Sequence, residues 1–337
     1  MTLCALGASA QDSVPQAPII NIKADARLDY QRVWNDGHTD KPNSGFEGKY
    51  LDFQIDGQIV DGLTYSWRQR LNKTITDANF FNATDWVWLK YQFGRWNVAG
   101  GKEVVKIGGF EYDRSPLDVY SGSVFWANIP CYQIGVSAGY DITPSDRLSL
   151  QFCQSPFHTT ENRDMYAYNI FWNGRHGIFS SLYSINLVQY AEGKYISYIS
   201  LGNKFDIDNW SLEFDIMNRA ASHQKFFFKD CSIIGDLSWR PHKKWKVHAK
   251  ATYDVNKSGT GADFTVLDGT ELTMVGAGVE FFPLLKNNHS VRLHANVYYA
   301  WGNNANAADV MQNKTTVFDI GVKWYMDIFS LKRKPKK

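Results

Sequence analysis

The stretch of sequence that decides the fold is Trp245-Lys246-Val247-His248-Ala249-Lys250-Ala251-Thr252-Tyr253-Asp254-Val255. Its odd positions are apolar and its even positions are polar. Because successive side chains of a β-strand point to opposite faces, this strand would have one apolar face and one wet, basic face. Similar segments fill nearly the whole chain, whereas the 3.6-residue period of an amphipathic helix is almost absent. The pattern predicts an all-β, antiparallel protein.

Composition narrows the class of β-protein. The chain has 337 residues, of which 44% are hydrophobic and 15% aromatic, with a formal net charge of +2. No run approaches the roughly 18 apolar residues of a spanning helix, so the protein is either soluble or crosses a membrane as strands. Its aromatic content favours the membrane, because Trp and Tyr concentrate at membrane interfaces. The small net charge argues against nucleic-acid binding, and no linker divides the chain into domains.

We count sixteen candidate strands, with boundaries good to about two to four residues. Their spans are 19–34, 47–59, 63–72, 84–93, 95–104, 132–142, 147–154, 165–173, 177–188, 194–205, 209–217, 230–240, 244–255, 271–282, 290–302 and 315–329.

The connections between these strands alternate in length. Long polar loops cover 35–45, 73–83 and 155–164, whereas Val60-Asp61-Gly62 and Gly94-Arg95 are short turns. Outer-membrane β-barrels have this asymmetry, with short turns in the periplasm and long loops outside. An even strand count also puts both chain ends in the periplasm. The sequence therefore predicts a transmembrane β-barrel in a bacterial outer membrane.

Tryptophans mark the two predicted rims of the barrel. Those expected at the periplasmic edge, on the apolar face, are Trp172, Trp210, Trp239 and Trp245, and those at the opposite edge are Trp34 and Trp301. Headgroup regions favour two such belts of amphipathic rings. In a soluble β-protein, the same residues would belong to a core.

One connection is much longer than the alternation requires. It runs from Glu103 to Cys131 and carries Phe110, Tyr112 and Phe125. A loop of this length is usually functional or disordered, and its aromatic content argues against disorder. We expect this third loop to fold into the lumen and narrow it at about residues 104–131.

The ends of the chain give the expected organisation. Ala8-Ser9-Ala10 follows a short apolar run and fits a signal-peptide cleavage site. We therefore expect a partial signal peptide at 1–10, a short periplasmic segment at 11–18, the barrel at 19–329 and a basic periplasmic tail at 330–337.

The chain resembles the phosphate-selective porin O and P family around its third loop. The similar residues are Val98-Ala99-Gly100-Gly101-Lys102-Glu103-Val104-Val105-Lys106-Ile107-Gly108-Gly109-Phe110-Glu111-Tyr112, then Asp113-Arg114-Ser115-Pro116, and the earlier strand Tyr65-Ser66-Trp67-Arg68-Gln69-Arg70-Leu71-Asn72. The resemblance implies a passive channel, commonly a homotrimer, that is constricted by its third loop and lined by Arg and Lys. The membrane lipid and small anions or other hydrophilic solutes would be its partners.

The candidate lumen charges are mixed in sign. We therefore infer the fold and the channel function from the resemblance, but not selectivity for phosphate. Six basic residues are expected near mid-barrel as one wall: Arg27, Arg68, Arg70, Lys246, Lys250 and Arg292. Three acidic residues, Glu213, Asp215 and Asp236, are expected to face them. Lys90 is a further inward cation, and Lys102, Lys106 and Arg114 would add positive charge from the loop. A weak anion bias and no bias both remain open.

Signals for other chemistry are thin. Gly135-Val136-Ser137-Ala138-Gly139 fits the G-x-S-x-G pattern, but a nucleophile elbow needs a strand-to-helix turn and this motif lies inside a strand. We expect no catalytic, cofactor or metal site, and we interpret His248 and His294 as polar lumen residues. The sequence predicts an outer-membrane porin for passive diffusion of small hydrophilic solutes. Its rivals are a non-channel barrel, either an enzyme or an adhesion protein with a plugged lumen, and a soluble β-protein.

Overall fold

A computed structural model describes residues 18–73, 80–222, 224–284 and 290–332. The expected signal peptide, nearly all of the expected segment 11–18 and most of the basic tail lie outside these residues. Among the described residues, no helix has the length and apolar character needed to cross a bilayer.

The wall consists of sixteen strands, all of them predicted from the sequence to within about four residues. They are β1 Ile20–Asn35, β2 Gly45–Val60, β3 Leu63–Arg70, β4 Thr84–Phe93, β5 Trp96–Val104, β6 Tyr132–Thr143, β7 Asp146–Gln154, β8 Tyr166–His176, β9 Phe179–Ala191, β10 Lys194–Ile207, β11 Trp210–Ala221, β12 Asp230–His242, β13 Trp245–Asn256, β14 Glu271–Phe281, β15 Val291–Asn303 and β16 Thr315–Leu331. A two-residue strand, His38–Thr39, pairs with the end of β1.

The sheet closes on itself. Each wall strand pairs antiparallel with the next, and β1 pairs with β16 from Ile20 opposite Leu331 to Asn35 opposite Thr315. Closure leaves no unpaired sheet edge, which is what allows β-structure to cross a hydrocarbon layer. The prediction of an antiparallel β-barrel is confirmed.

Side chains alternate across this wall as the two-residue period requires. On β13, Trp245 and Val247 are 44% and 42% exposed on the outer surface, whereas His248 and Lys250 are each 5% exposed inside. The apolar face therefore points to lipid and the polar face to the lumen.

Aromatic rings gather at the two rims. Near the short-turn end, Trp210 and Trp239 are register partners whose ring centroids stack 5.4 Å apart. Trp245 packs on Phe281 at 4.6 Å at the same end of the wall. At the long-loop end, Trp301 is 41% exposed and stacks on a neighbouring tyrosine. These pairs form the outward rims that the headgroup regions favour.

The third loop, residues 105–131, contains two short helices. Helix α1 covers Phe110–Asp113 and helix α2 covers Val124–Asn128. The Ser123 side chain caps α2 by accepting a hydrogen bond from the backbone N–H of Trp126. We refer to residues 105–131 as L3.

An apolar core fills part of the barrel interior. L3 contributes Val105, Ile107 and Phe125 to it, and the loops after β7 and β13 contribute Phe157 and Val266. Inward side chains from β7 to β15 complete this core. Burial of these side chains stabilises the fold, at about 25 cal/mol for each Å² of apolar surface removed from water.

Candidate functional site: the lumen and its third loop

L3 lies inside the barrel and contacts most of its wall. Its described hydrogen bonds, ion pairs and ring contacts reach inward groups of β1, β7 and β9–β16. These contacts with ten of the sixteen wall strands place L3 across the interior of the barrel.

Arg114 is the first charged anchor of L3. Its guanidinium binds Glu213 of β11, and it also lies 2.9 Å from Asp236 of β12. The sequence predicted an inward cation here. The arginine neutralises two of the three acids that were expected to face a basic wall.

Asp118 is the second charged anchor. Its carboxylate lies 2.5 Å from Arg292 of β15 and 2.9 Å from Lys323 of β16. Burial alone would raise the pKa of Asp118, but these two cations outweigh it and hold that pKa well below its usual range.

Tyr120 is the aromatic anchor of L3. Its ring lies 4.7 Å from the Arg27 guanidinium, 4.6 Å from the His294 ring and 5.5 Å from the His248 ring. Its hydroxyl donates a 2.8 Å hydrogen bond to Glu280. This side chain therefore contacts inward side chains of four strands, β1, β13, β14 and β15.

The expected single basic wall does not form. Four of its members bind acids: Arg27 lies 2.6 Å from Asp29, Lys250 lies 2.5 Å from Glu111 of L3, and Arg68 and Arg70 both bind Asp52 and Asp85. Arg292 binds Asp118 and Glu280, and Lys246 lies 3.7 Å from that same glutamate. The physical reason is that isolated charges are costly in a partly desolvated interior, so inward cations pair with inward acids. The two-residue period of a strand predicts the face on which each side chain lies, but not the acid with which a cation pairs.

Lys102 is also corrected by the structure. It lies on the same face of β5 as Val98 and Val104, which are 41% and 40% exposed on the outer surface. Its ammonium donates to the carbonyl oxygens of Phe81 and Thr84. Lys102 therefore lies outside the lumen. It belongs to β5, which ends at Val104, and not to the loop that follows.

Lys106 is a basic residue of L3 that forms none of the described ion pairs. It is half-buried, and no acid of the described residues forms an ion pair with its ammonium. Burial lowers its pKa, and the charges of Lys90 and Arg147 lower it further, against the opposing effect of Glu103. Lys106 therefore lies in the field of two cations, Lys90 and Arg147, and of two acids, Glu103 and Asp113.

The wall strands β2 to β5 carry none of the described anchors of L3. The described anchors of L3 lie on β1, β7 and β9–β16, so the side opposite them is formed by β2 to β5. On this side, Tyr50, Trp86 and Trp88 face inward beside basic residues. These rings were not predicted from the sequence. The signal that could have found them is Trp86-Val87-Trp88-Leu89-Lys90, in which both tryptophans share a strand face with the predicted pore residue Lys90.

One buried cluster has the residue types of a metal site. Single ligand atoms of Asp29, His294 and Asp319 all lie within 4.8 Å of one another. Arg27 already donates three hydrogen bonds to Asp29, and Asn296 donates one to Asp319. Since these donors occupy carboxylate oxygens, the cluster fits an ion-pair network better than a cation cage.

The G-x-S-x-G motif lies within β6, so it does not have the strand-to-helix turn of a nucleophile elbow. The Ser137 hydroxyl donates to Glu103 on the neighbouring strand at 2.8 Å. This serine acts as an inward wall residue.

Comparison with known proteins agrees with this geometry. Residues 20–176 match the family model described as phosphate-selective porin O and P. The N-terminal half of the barrel is therefore similar to that family. The protein is an outer-membrane porin channel. No curated protein matches it in sequence.

Solved structures share the porin's fold. An anion-selective porin from Comamonas acidovorans is similar with a TM-score of 0.66 and 10% identity, covering 91% of this chain and 99% of that one. The outer-membrane channel DcaP of Acinetobacter baumannii gives 0.64 and 11%, with 91% and 97% coverage. OmpT of Vibrio cholerae gives 0.61 and 12%, also with 91% and 97%. At these identities, the likeness concerns the fold alone.

Proposed function

We propose that this porin lets small hydrophilic solutes diffuse passively and that it prefers small anions. The observation that carries the preference is the position of Lys106 on L3, near Lys90 and Arg147 and without an ion-paired acid among the described residues. Low-dielectric walls focus the field of such charges on the water path, which raises the local concentration of anions.

A specific preference for phosphate receives less support. Phosphate is bound well by arginines that present free, forked donors. Here Arg27, Arg68, Arg70 and Arg292 already donate to carboxylates. We therefore propose a general anion preference, set by lysines.

The test is the reversal potential of purified protein in planar bilayers under a KCl gradient. We expect chloride to be preferred over potassium, and Lys106→Gln to reduce this preference several-fold. Lys49→Gln is the matched control, because Lys49 pairs with Glu47 and an exposed pair contributes little. Potassium preference in the unmodified porin would contradict the proposal.

The apolar core inside the barrel favours one rival, a barrel whose lumen is plugged by its loops. Three loops contribute to this core. The same bilayer experiment separates the two functions, because a plugged barrel inserts without carrying current. Absence of current across all voltages would favour an adhesion or structural role.

We also propose that the porin forms homotrimers, as its family resemblance implies. A depression of about 800 Å³ in the outer face of β3–β9 supports this, because Gly100 and Ala138 keep its floor low among larger apolar residues. A second copy of the chain would insert side chains there. The native mass in detergent tests the proposal, and Ala138→Trp should convert trimers to monomers. A monomeric mass for the unmodified porin would rule it out.

We infer that residues 1–10 are the remainder of a secretory signal and that the segments 11–18 and 330–337 lie in the periplasm. N-terminal sequencing of the mature protein should begin near Gln11. Proteolysis of intact cells should leave an epitope at the C-terminus uncut, whereas cutting it would contradict the periplasmic position.

A further inference from the structure

Three consecutive phenylalanines are exposed in the loop between β11 and β12. Phe226, Phe227 and Phe228 are 56%, 43% and 56% exposed. The Phe228 ring meets Phe227 edge-to-face, with centroids 5.1 Å apart, and lies 6.3 Å from the Phe226 ring. Contiguous exposed apolar groups rimmed by polar residues mark an interaction surface. We call residues 224–229 the phenylalanine turn.

Hydrogen bonds hold the backbone of this turn. The side-chain amide of Gln224 donates to the carbonyl oxygens of Phe226 and Phe227, at 2.8 and 3.1 Å. The Lys229 carbonyl accepts a 2.8 Å hydrogen bond from the backbone N–H of Lys257. The rings are therefore presented by a chain segment whose own polar groups have partners.

The turn lies on the lipid-facing side of the wall. The lumen side is already occupied at this height, because Arg219 points inward and binds Asp263 of the loop after β13 at 2.7 Å. On the outward face, Asn218 and its register partner Cys231 are only 2% and 6% exposed, whereas Phe214 on the same face is 40% exposed. The phenylalanine turn lies against β11, so it covers this outward end.

Two lysines flank the rings. Lys225 and Lys229 are both exposed, and neither forms an ion pair with an acid of the described residues. The adjacent acid, Asp230, binds Arg219 inside the wall. The turn therefore combines three apolar rings with two positive charges at the long-loop rim of the barrel.

We propose that the phenylalanine turn binds a lipid of the outer leaflet whose headgroup carries phosphate. The rings contact its acyl chains, and the ammonium groups of Lys225 and Lys229 pair with its phosphates. Phenylalanine has no polar tip, unlike tyrosine or tryptophan, so these rings suit hydrocarbon. The lipid-facing position and the basic flanks together favour an anionic lipid over a protein partner.

Native mass spectrometry of the purified porin in detergent tests the site with three lipids. Diphosphoryl lipid A carries both acyl chains and phosphates, its dephosphorylated form keeps the same chains, and phosphatidylethanolamine has a zwitterionic headgroup. We expect diphosphoryl lipid A to occupy the porin at a concentration at least five-fold lower than either of the other two.

The rings are tested by replacing all three of them. The triple change Phe226→Ser, Phe227→Ser and Phe228→Ser should weaken the binding of diphosphoryl lipid A at least five-fold. The same triple change to leucine is the conservative variant. It should keep most of the binding, because it preserves an apolar surface.

The charges are tested separately, which keeps the proposal open to refutation if the serine variant does not assemble. Lys225→Gln with Lys229→Gln should lower the binding of diphosphoryl lipid A to that of the dephosphorylated form. Lys41→Gln is the matched control and should leave binding unchanged, because Lys41 is exposed at the same end of the barrel but in the loop after β1.

Three outcomes would overturn this lipid site. One is equal binding of the three lipids by the unmodified porin, and another is unchanged binding of diphosphoryl lipid A by the serine variant. The third is an association of porin copies that the serine change abolishes, since a second copy of the chain would then be the occupant. None of these results alters the proposed anion preference, which the reversal potential measures.

Discussion

Single residues determine how the lumen charges are used, and Arg219 shows this most clearly. Its side chain is fully buried, lies 2.9 Å from Asp230 and 2.7 Å from Asp263, and donates to Ser232. Asp263 belongs to the loop after β13, so the arginine joins that loop to the wall. A guanidinium with several donors suits such a site better than an ammonium.

We predict that Arg219→Met destabilises the porin by about 3–5 kcal/mol, because the buried acids lose their counter-charge. The measurement is urea-induced unfolding of the refolded barrel in detergent. Arg175→Met is the control, since that side chain is exposed at the short-turn end. Equal stability of the two variants would contradict the assigned role of Arg219.

The pH dependence of the L3 anchor follows from Asp118. Its folded pKa lies well below the ordinary value of 3.8, because Arg292 and Lys323 outweigh the effect of burial. The stabilisation is therefore complete above the unfolded pKa and is lost only as pH falls through the lower folded pKa. We predict an unchanged single-channel current between pH 7 and about pH 4. A step in current near pH 6 would show that another group controls L3.

At the scale of elements, L3 was predicted in position but not in its contacts. Its length and its aromatic residues indicated a loop folded into the lumen. Which wall it covers depends on partners far apart in sequence, such as Arg114 with Glu213 and Asp236. Hydrophobic periodicity carries no information on such pairs, which is why the wall strands without L3 anchors, and their rings, were not predicted.

We predict that releasing the two charged anchors enlarges the channel. The double change Arg114→Gln and Asp118→Asn removes the ion pairs that these two residues form with the wall strands β11, β12, β15 and β16. L3 should then move, and single-channel conductance should rise measurably, by about half or more. Ser115→Ala lies between the anchors and should leave conductance unchanged. Equal conductance in all three proteins would contradict this role and would mean that the remaining contacts, such as Lys250 with Glu111 and the apolar core, hold L3.

At the scale of the whole molecule, closure between β1 and β16 makes the barrel a membrane structure. The pairing extends along the whole of β1. Without it, two strand edges would expose unpaired backbone groups to lipid, at several kcal/mol each.

We predict that a chain ending at Lys314 does not form a folded barrel. A chain ending at Leu331 keeps β16 and removes only the basic tail, so it is the matched control. The measurement is the difference in gel mobility between heated and unheated samples, which reports compact barrels. A folded form of the shorter chain would contradict the requirement for closure.

The sequence by itself determined the barrel, its sixteen strands, its outward face and the position of L3. These follow from local rules, because the two-residue period and the loop lengths are read along a single strand or turn. Tertiary structure decided which cations are neutralised, as with Arg27 and Lys250, and placed Lys102 outside the lumen. It also decided which wall strands L3 contacts and placed the Lys90 ammonium over the Trp88 ring. Electrostatic pairing acts between strands that are distant in sequence, so the charge of this pore is a property of the closed barrel.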